Sequence, residues 1–238
     1  MRERVPLFAG LTLLALAVAV GAFAVADGIR DRNQGQGDVL TVTGSAKRRI
    51  VSDYVVWNVS VTSQQPTAAA AARELGGWAT RLRAFLLDQG VLVEELTVQP
   101  IATEALTQKG NVFAYRLTRT FEVRSPRVQE IAGVAESSST LLAQGIPLAA
   151  QPPQYVYTKL PTLRLQLLAE ATKDAQNRAR VIAEATGSHL GGLRGVDVGV
   201  FQVTSPNSTD VSDYGFYDTS TLQKDVTAVV NVTFALRG

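Results

Sequence analysis

The 238-residue chain contains no cysteine and a single histidine, His189. The absence of cysteine excludes disulfides, thiolate nucleophiles and cysteine metal sites, so the stability of the fold has to come from packing. His189 follows a predicted helix end at Gly187, and nothing near it supplies the partners that a triad or a metal site needs. The chain also lacks a G-x-S-x-G elbow, an H-E-x-x-H pair, a P-loop and a dinucleotide-binding glycine motif after a strand. We therefore predict no catalytic residue, no metal site and no cofactor, and a hydrolase that uses His189 with a distant Ser or Asp is the least favoured alternative.

A large excess of charge of either sign is also absent. The 23 Lys and Arg residues nearly balance the 21 Asp and Glu residues, which leaves a net charge of +2. Nucleic acid is therefore not an expected partner. Hydrophobic residues make up 46% of the chain and charged residues 18%, a composition typical of a folded globular protein rather than a disordered one. The basic tripeptide Lys47–Arg49, with Arg116 and Arg119 elsewhere, is either a phosphate patch or a solvated strand end, and we favour the second.

One long apolar run lies near the N-terminus, from Val5 to Ala26, after the basic residues Arg2 and Arg4. It predicts a segment that is directed to a membrane. Two alternatives stay open, a transmembrane anchor formed by residues 5–26 and a signal peptide cleaved near Ala26, where "AVA" satisfies the small-x-small rule. In both cases the remainder of the chain is exported. Residues 27–38 are polar and glycine-rich and predict a flexible linker, so the folded domain is expected over residues 39–238.

Hydrophobic periodicity across residues 39–238 predicts an α+β fold, an antiparallel or mixed sheet with long helices packed on it, in the order ββαββα followed by βαββ. Thr67 is the predicted N-cap of the first helix and Gly90 its stop, and Gly76 with Gly77 inside it predicts close approach of another backbone. The predicted strands are 39–44, 54–63, 94–102, 111–123, 154–158, 195–204 and 225–236, and the predicted helices are 68–89, 126–144 and 160–186. The expected core positions are Val55, Trp57, Val59, Val61, Ala71, Leu75, Trp78, Leu82, Phe85, Leu86, Phe113, Tyr115, Leu117, Phe121, Val123, Val128, Ile131, Ala135, Leu142, Val226, Ala228, Val230, Val232 and Phe234.

The third helix carries small residues where a core-facing helix usually carries leucine. We predict that this stripe lets the helix axis lie close to a sheet, and we favour such packing over the alternative of a ligand groove. The predicted stripe consists of Leu165, Leu168, Ala171 or Thr172, Ala175, Ala179, Ile182 and Thr186.

The segment 205–224 is rich in turn formers and is predicted to be a surface loop. Its aromatic residues Tyr214, Phe216 and Tyr217 form a possible interaction site for a peptide, a glycan or an envelope partner, since exposed aromatic residues favour interfaces. Asp210, Asp213 and Asp218 either hold a calcium ion or form a solvated acidic loop, and the missing EF-hand register favours the second. The glycosylation sequons at Asn58, Asn207 and Asn231 are interpreted as coincidental, because two of them lie in predicted strands.

Several segments together resemble the SIMPL-domain family over residues 38–238. They are "TVTGSA" on the first strand, Asp53, "LLDQGV", "LTVQP" and, most specific, "AEATKDAQNRARVIAEATGSHLGGL". In the last segment the matching positions are Ala171, Asp174, Ala175, Arg178, Ala179, Ile182, Ala183, Gly187, Leu190 and Gly191.

The resemblance implies a bacterial periplasmic or membrane-anchored protein, similar to envelope antigens linked to stress tolerance, some of which assemble into large rings or cages. It supplies no catalytic residues, because the family has no settled enzymatic mechanism. We therefore expect an exported, periplasmic, non-catalytic homo-oligomer with a structural or stress-protective role. It would contact the membrane through its N-terminal segment, and an unknown envelope ligand is possible. The alternative is a binding module that uses the aromatic loop 205–224, which departs from the family pattern at Tyr214 to Asp218.

Overall fold

The computed structural model describes residues 38–209 and 214–238. The predicted membrane segment 5–26 lies outside the described residues, as does the predicted linker apart from Asp38. The contact pattern divides the chain into two compact units. Unit 1 contains residues up to Ser45, Ala171–Gly199 and Val230–Gly238, and unit 2 contains Ala46–Glu170 and Val200–Val229.

The structure contains two β-sheets together with α-helices, which confirms the predicted α+β class. The strands are β1 (Val39–Val51), β2 (Tyr54–Gln65), β3 (Leu96–Val98), β4 (Ala102–Gln108), β5 (Asn111–Ser125), β6 (Leu148–Ala150), β7 (Gln154–Val156), β8 (His189–Val198), β9 (Gln202–Thr204), β10 (Phe216–Tyr217) and β11 (Gln223–Arg237). The α-helices are α1 (Ala68–Asp88), α2 (Val128–Ser137), α3 (Thr140–Ala143) and α4 (Leu160–Ala185), and Val93–Glu95 forms a 3-10 turn. The order therefore contains short strands and one short helix that the predicted ββαββα-βαββ order lacks.

Unit 2 is built on a sheet of order β3-β5-β2-β6, with β4 also paired to β5 and β7 to β2. The long β2–β5 ladder is antiparallel, and it places Trp57 opposite Val123 and Val59 opposite Phe121. As the alternation of β2 predicts, its odd-numbered valines and Trp57 are buried, and they share one core with the buried leucines of α1. The predicted cap of α1 is confirmed, because the Thr67 hydroxyl accepts a hydrogen bond from the Ala70 N–H.

The predicted hairpin before β5 is confirmed at its turn but wrong in its first strand. Lys109 and Gly110 have φ values of 49° and 83°, the left-handed geometry that two-residue hairpin turns require. The predicted strand 94–102 contains only the short β3 and the first residue of β4, with Pro100 between them, since proline cannot donate to a ladder, and the strand that pairs across the turn is β4. A register shift between Leu106 and Thr107 accompanies a change of face in β5, so Phe113 is exposed and Ala114 is buried.

The predicted second helix is also divided. It ends at Ser137 and a short α3 follows, because side chains of the serine and threonine run bond back to the carbonyls of the preceding turn, as Ser138 does to Ala135. Val134 and Leu141 are consequently buried where Ala135 and Leu142 were predicted, and Leu142 is exposed.

Unit 1 combines the first part of β1, strand β8, the last part of β11 and the second half of α4. Strand β8 is antiparallel to β11, with Val198 opposite Val230 and Val196 opposite Val232. A hydrogen bond between the Thr41 and Thr233 hydroxyls and one from the Thr43 hydroxyl to the Asn231 amide oxygen connect β1 to β11. The predicted strand 195–204 is in fact the end of β8 and the separate strand β9. The predicted alternation of β11 is confirmed, since its even-numbered residues from Val226 to Phe234 are buried.

Candidate functional site

The small-residue stripe of α4 packs tightly, as predicted, and it shares Ala171, Ala175 and Ala179 with the predicted stripe. The alanines at 171, 175, 179 and 183 are at most 1% exposed and are spaced four residues apart. Leu165 and Ile182, which belonged to the predicted stripe, are exposed, as is Thr186. Four-residue spacing keeps one narrow row of a helix against its neighbour, and this row contains only methyl side chains within unit 1.

The neighbour that requires these methyl groups is Gly44 of β1. A Cβ atom at Gly44 would lie 2.2 Å from the Ala171 carbonyl oxygen, 2.5 Å from the Ala175 nitrogen and 2.7 Å from the Ala175 Cβ. The backbone N–H of Ser45 also donates to the Asp174 carboxylate at 2.9 Å, and this bond lowers the pKa of Asp174, with a further contribution from Arg178. Helix and strand therefore touch backbone to backbone, and we call this contact the Gly44 seam.

The close approach predicted at Gly76 and Gly77 is wrong. Both glycines are exposed on α1, and a Cβ atom at either would meet nothing within 4 Å. The sequence signal for the true position was the glycine inside the strand-like "TVTGSA", because a glycine within a strand often marks close approach of another backbone.

The basic tripeptide lies near the end of β1 with Lys47 and Arg49 about half exposed, as expected of a solvated strand end, but its cations are also paired with protein groups. Lys47 and Arg49 both bind the buried carboxylate of Asp225, at 2.8 and 2.9 Å, and Arg49 also donates to Asn207. Hydrogen bonds from Arg49 and then Lys47 hold the pKa of Asp225 well below its usual range. The other cations are also paired or bonded: Arg48 binds Gln166 and Glu170, Arg116 binds Glu104, and Arg119 donates to the carbonyl of Gln99.

Asp218 is buried, which contradicts its interpretation as part of a solvated acidic loop. Burial opposes its ionisation, but hydrogen bonds from Thr221 and Ser220 lower its pKa to about 2. Its charged neighbour Lys224 is also fully buried, which lowers the pKa of that amine. Asp210 and Asp213 lie outside the described residues. Within residues 38–209 and 214–238, no group of three His, Asp or Glu side chains converges as metal ligands would.

The structure separates the three aromatic residues of the predicted interaction loop. Tyr214 is 97% exposed, whereas Phe216 and Tyr217 form β10, which pairs in parallel with β9. The Tyr217 hydroxyl accepts a hydrogen bond from the Tyr157 N–H at 3.2 Å. Only Tyr214 therefore presents nearly its whole side chain to solvent.

The remaining candidates lie at ordinary structural positions. His189 opens β8, is exposed, and lies opposite Arg237. Two sequon residues are in strands as predicted, Asn58 in β2 and Asn231 in β11. Asn207 adopts a left-handed conformation in a turn, where its amide oxygen accepts the hydrogen bond from Arg49.

Two surfaces of unit 1 that sequence reasoning missed expose apolar side chains. The first is the β8 ridge, defined by Leu193, Val196 and Val198, which are 59%, 45% and 49% exposed. Leu193 lies opposite Phe234, and the two valines lie opposite Val232 and Val230, so all three are on the same face of the sheet as the buried residues of β11. A register shift between Thr233 and Phe234 brings Leu193 to this face, and alternation along the sequence does not reveal it.

The second surface is the β1 groove, a cavity of about 640 Å³ between the start of β1 and the end of α4. Val181 and Ile182 contribute exposed aliphatic side chains to it. Its one charged side chain, Arg178, is paired with Asp174 at 2.9 Å. The lining residues are Thr41, Val42, Thr43, Asn177, Arg178, Val181 and Ile182.

Comparison with known proteins places this arrangement in a family. The family model named SIMPL, described as a protein of unknown function (DUF541), matches residues 40–234. The chain belongs to the SIMPL family. Among curated proteins, none matches this SIMPL chain. In the described part of the chain, none of the helices combines the length and the apolar character needed to cross a bilayer.

Solved structures resemble the SIMPL chain only weakly. The de novo designed protein Foldit4 is 11% identical, with 41% of this chain and 93% of that chain covered and a TM-score of 0.24. CutA1 from Shewanella sp. SIB1 is 8% identical, with coverages of 51% and 98% and a TM-score of 0.23. An amidase of the hydantoinase/carbamoylase family from Burkholderia multivorans is 14% identical, with coverages of 50% and 30% and a TM-score of 0.24.

Proposed function

We propose that this SIMPL-family chain is an exported, non-catalytic protein of the cell envelope that self-associates into a homo-oligomer with a structural or stress-protective role. Export is supported by the apolar run from Val5 to Ala26 behind two arginines. The protein then acts in the periplasm, either anchored through residues 5–26 or released by cleavage near Ala26.

The observation that carries self-association is the exposure of β8. Most of the strand is exposed, and one of its faces presents the apolar β8 ridge. Natural edge strands usually avoid such a surface by being short, charged or covered, because an exposed apolar edge pairs readily with another chain, and although β8 carries Arg194 and Asp197, none of the ridge residues is charged. In a SIMPL protein that is stable in the envelope, a partner has to cover this surface. A second copy of the same chain is a partner that is always present at an equal concentration.

Sedimentation velocity tests the proposed oligomer. The full chain is expressed, and the protein is purified separately from the membrane fraction, in detergent, and from the soluble fraction. We expect species larger than the monomer at micromolar concentration in whichever fraction holds the protein. A monomer over the whole accessible concentration range would refute self-association.

Mass spectrometry of the N-terminus in the same two fractions tests export. Loss of about the first 26 residues indicates a cleaved signal peptide, and an intact N-terminus in the membrane fraction indicates an anchor. An intact chain found in the cytoplasmic fraction would contradict both forms of the proposal.

A second candidate function, a binding module, is favoured by the nearly complete exposure of Tyr214. Deleting the whole loop 205–224 would be a poor test, because Asp218 and Lys224 at its end are buried and unit 2 would be damaged. The sharper variant is Tyr214→Ser, assayed by co-sedimentation with isolated cell-wall glycan. Loss of co-sedimentation with an unchanged oligomer would support this module, and equal binding by both proteins would exclude Tyr214 as the contact.

A further inference from the structure

We propose that the β8 ridge of one copy docks in the β1 groove of a second copy, so that the sheet of unit 1 continues from one molecule into the next. This inference rests on the proposed function, because it names the two surfaces through which the homo-oligomer would form. It assigns an occupant to the β8 ridge and to the β1 groove.

Backbone hydrogen bonding supports this arrangement. In the described residues, β11 lies between β1 and β8 in unit 1, and no described strand pairs with the outer edge of either, so both edges have backbone groups free to pair apart from the Ser45 N–H, which is bonded to Asp174. The contacts of Thr41 with Thr233 and of Thr43 with Asn231 show that β1 runs antiparallel to β11, as β8 does. Strands β1 and β8 therefore run in the same direction. A neighbouring copy in the same orientation would add its β8 to β1 as a parallel strand.

The apolar side chains of the two surfaces face the same side of the sheet. Val42 and Gly44 are buried on the face of β1 that meets α4, and the β8 ridge is on the equivalent face of β11. When the sheet is continued without a flip, the ridge of the incoming strand points toward the side on which Val181 and Ile182 line the groove.

The charges of the two surfaces also permit docking. The β8 ridge is uncharged, and Arg178 in the groove is already neutralised by Asp174, so docking leaves no ion buried without a partner. Antiparallel pairing of β8 with β8 of another copy is less favourable. When it is centred on Asp197 it places two carboxylates directly opposite each other, and in any register it leaves the β1 groove uncovered.

The size of the contact favours a closed assembly over a dimer. A ten-residue strand is about 33 Å long and a packed layer is about 10 Å deep, so the contact covers roughly 300 Å² per partner. A stable pairwise interface usually buries about 800 Å² per partner. One head-to-tail contact is therefore weak, but ring closure gives every copy two such contacts, and heterologous interfaces form rings when the rotation closes.

Disulfide trapping tests the pairing, because the natural chain has no cysteine. The double variant Thr43→Cys with Asp197→Cys places one thiol on each outer strand, on the face opposite α4. Within one copy these positions lie on either side of Asn231, about 10 Å apart, which is beyond the roughly 7 Å that a disulfide can span. Thr41→Cys with Asp197→Cys covers a register that is shifted by two residues.

After mild oxidation of the full chain, we expect at least one double variant to form a ladder of covalent multimers on a non-reducing gel, while each single-cysteine variant stays monomeric. Dimers of Asp197→Cys alone would instead indicate pairing of β8 with β8 and would overturn the inference. If neither double variant forms a ladder although sedimentation shows an oligomer, self-association stands and this interface is wrong. If sedimentation shows only monomer, the proposed function itself fails.

A charge variant gives an independent measurement. Val196→Lys places an ammonium in the ridge at a position that is 45% exposed, so the lysine can reach solvent in the monomer; circular dichroism should be unchanged while the concentration at which the chain assembles rises at least tenfold. The matched control is Leu165→Lys, which changes an exposed aliphatic residue of α4 outside both surfaces and should leave assembly unchanged. Assembly of Val196→Lys at the wild-type concentration would overturn the inference.

Discussion

Gly44→Ala is the variant that most directly tests the packing of α4 on β1. The added Cβ would lie 2.2 Å from the Ala171 carbonyl oxygen, and both of the next nearest atoms belong to Ala175. Ordinary contacts between non-bonded heavy atoms are about 3.5 Å, so the helix has to move away by about 1 Å. Two of the three clashing atoms are backbone, and a change of rotamer cannot relieve the clash.

The loss of stability caused by this displacement can be estimated. A radial gap of 0.5–1 Å removes about a quarter to a half of the contact energy of the atoms that face it, and the buried alanines of the seam all face β1 and its neighbours. Overpacking of a tight core costs about 1–3 kcal/mol, and occasionally more. We expect Gly44→Ala to lower the free energy of unfolding by about 3 kcal/mol. For a chain of this size, that loss lowers the Tm by about 6–12 °C.

Thermal and urea denaturation followed by circular dichroism measures this effect, and Gly76→Ala is the matched control. The same methyl group at Gly76 meets nothing within 4 Å and removes a glycine from the middle of α1, so it should stabilise the chain by up to about 1 kcal/mol. The two substitutions should therefore have opposite signs. A loss below about 1 kcal/mol for Gly44→Ala would refute the backbone contact.

Two further predictions concern buried carboxylates. The pKa of Glu95 is lowered to about 2, chiefly by its hydrogen bond to Arg127, so its contribution of about 2–3 kcal/mol is present above pH 4.5 and is lost as the pH falls toward 2. Glu95→Gln should remove that part of the acid sensitivity, which a comparison of urea midpoints at pH 7 and pH 3 measures, and an equal acid loss in both proteins would contradict it. Asp225→Asn should lower the free energy of unfolding by about 1–2 kcal/mol at pH 7, because Lys47 and Arg49 lose their carboxylate partner but stay half exposed to water. An unchanged urea midpoint would show that these ion pairs do not stabilise the fold.

Elements dominated by local sequence signals were predictable. Alternation over β2 and β11 identified their buried faces, and Thr67 marked the start of α1, because a period of two and a hydroxyl cap act within a few residues. The break after Ser137 was missed although it is also local. The serine and threonine side chains there compete with backbone N–H groups for the carbonyls of the preceding turn. The spacing of hydrophobic residues gives no information about that competition.

The candidate surfaces were not predictable, because each depends on residues distant in sequence. Periodicity placed Ala171 (or Thr172) and Ala175 on the packing stripe of α4 but could not identify Gly44 as their neighbour, since that depends on where the helix crosses β1. The Asp225 ion pairs join residues more than 170 positions apart. The β8 ridge depends on a register shift that moves Leu193 to the face of Val196, and strict alternation would have placed these two residues on opposite faces.

The Gly44 seam and the β1 groove use the same helix and the same strand, so their perturbations should be coupled. Because the alanines allow α4 to lie against β1, Val181 and Ile182 are held beside Val42 at the strand edge, where an incoming strand would meet them. A helix displaced by about 1 Å would move these two side chains away from the edge. Gly44→Ala should therefore weaken assembly at temperatures well below its Tm, where the chain is still fully folded, and Gly76→Ala should not. Sedimentation at 10 °C measures the difference. If folded Gly44→Ala and the wild type assemble equally, the Gly44 seam does not affect assembly, and the β1 groove is not the docking site.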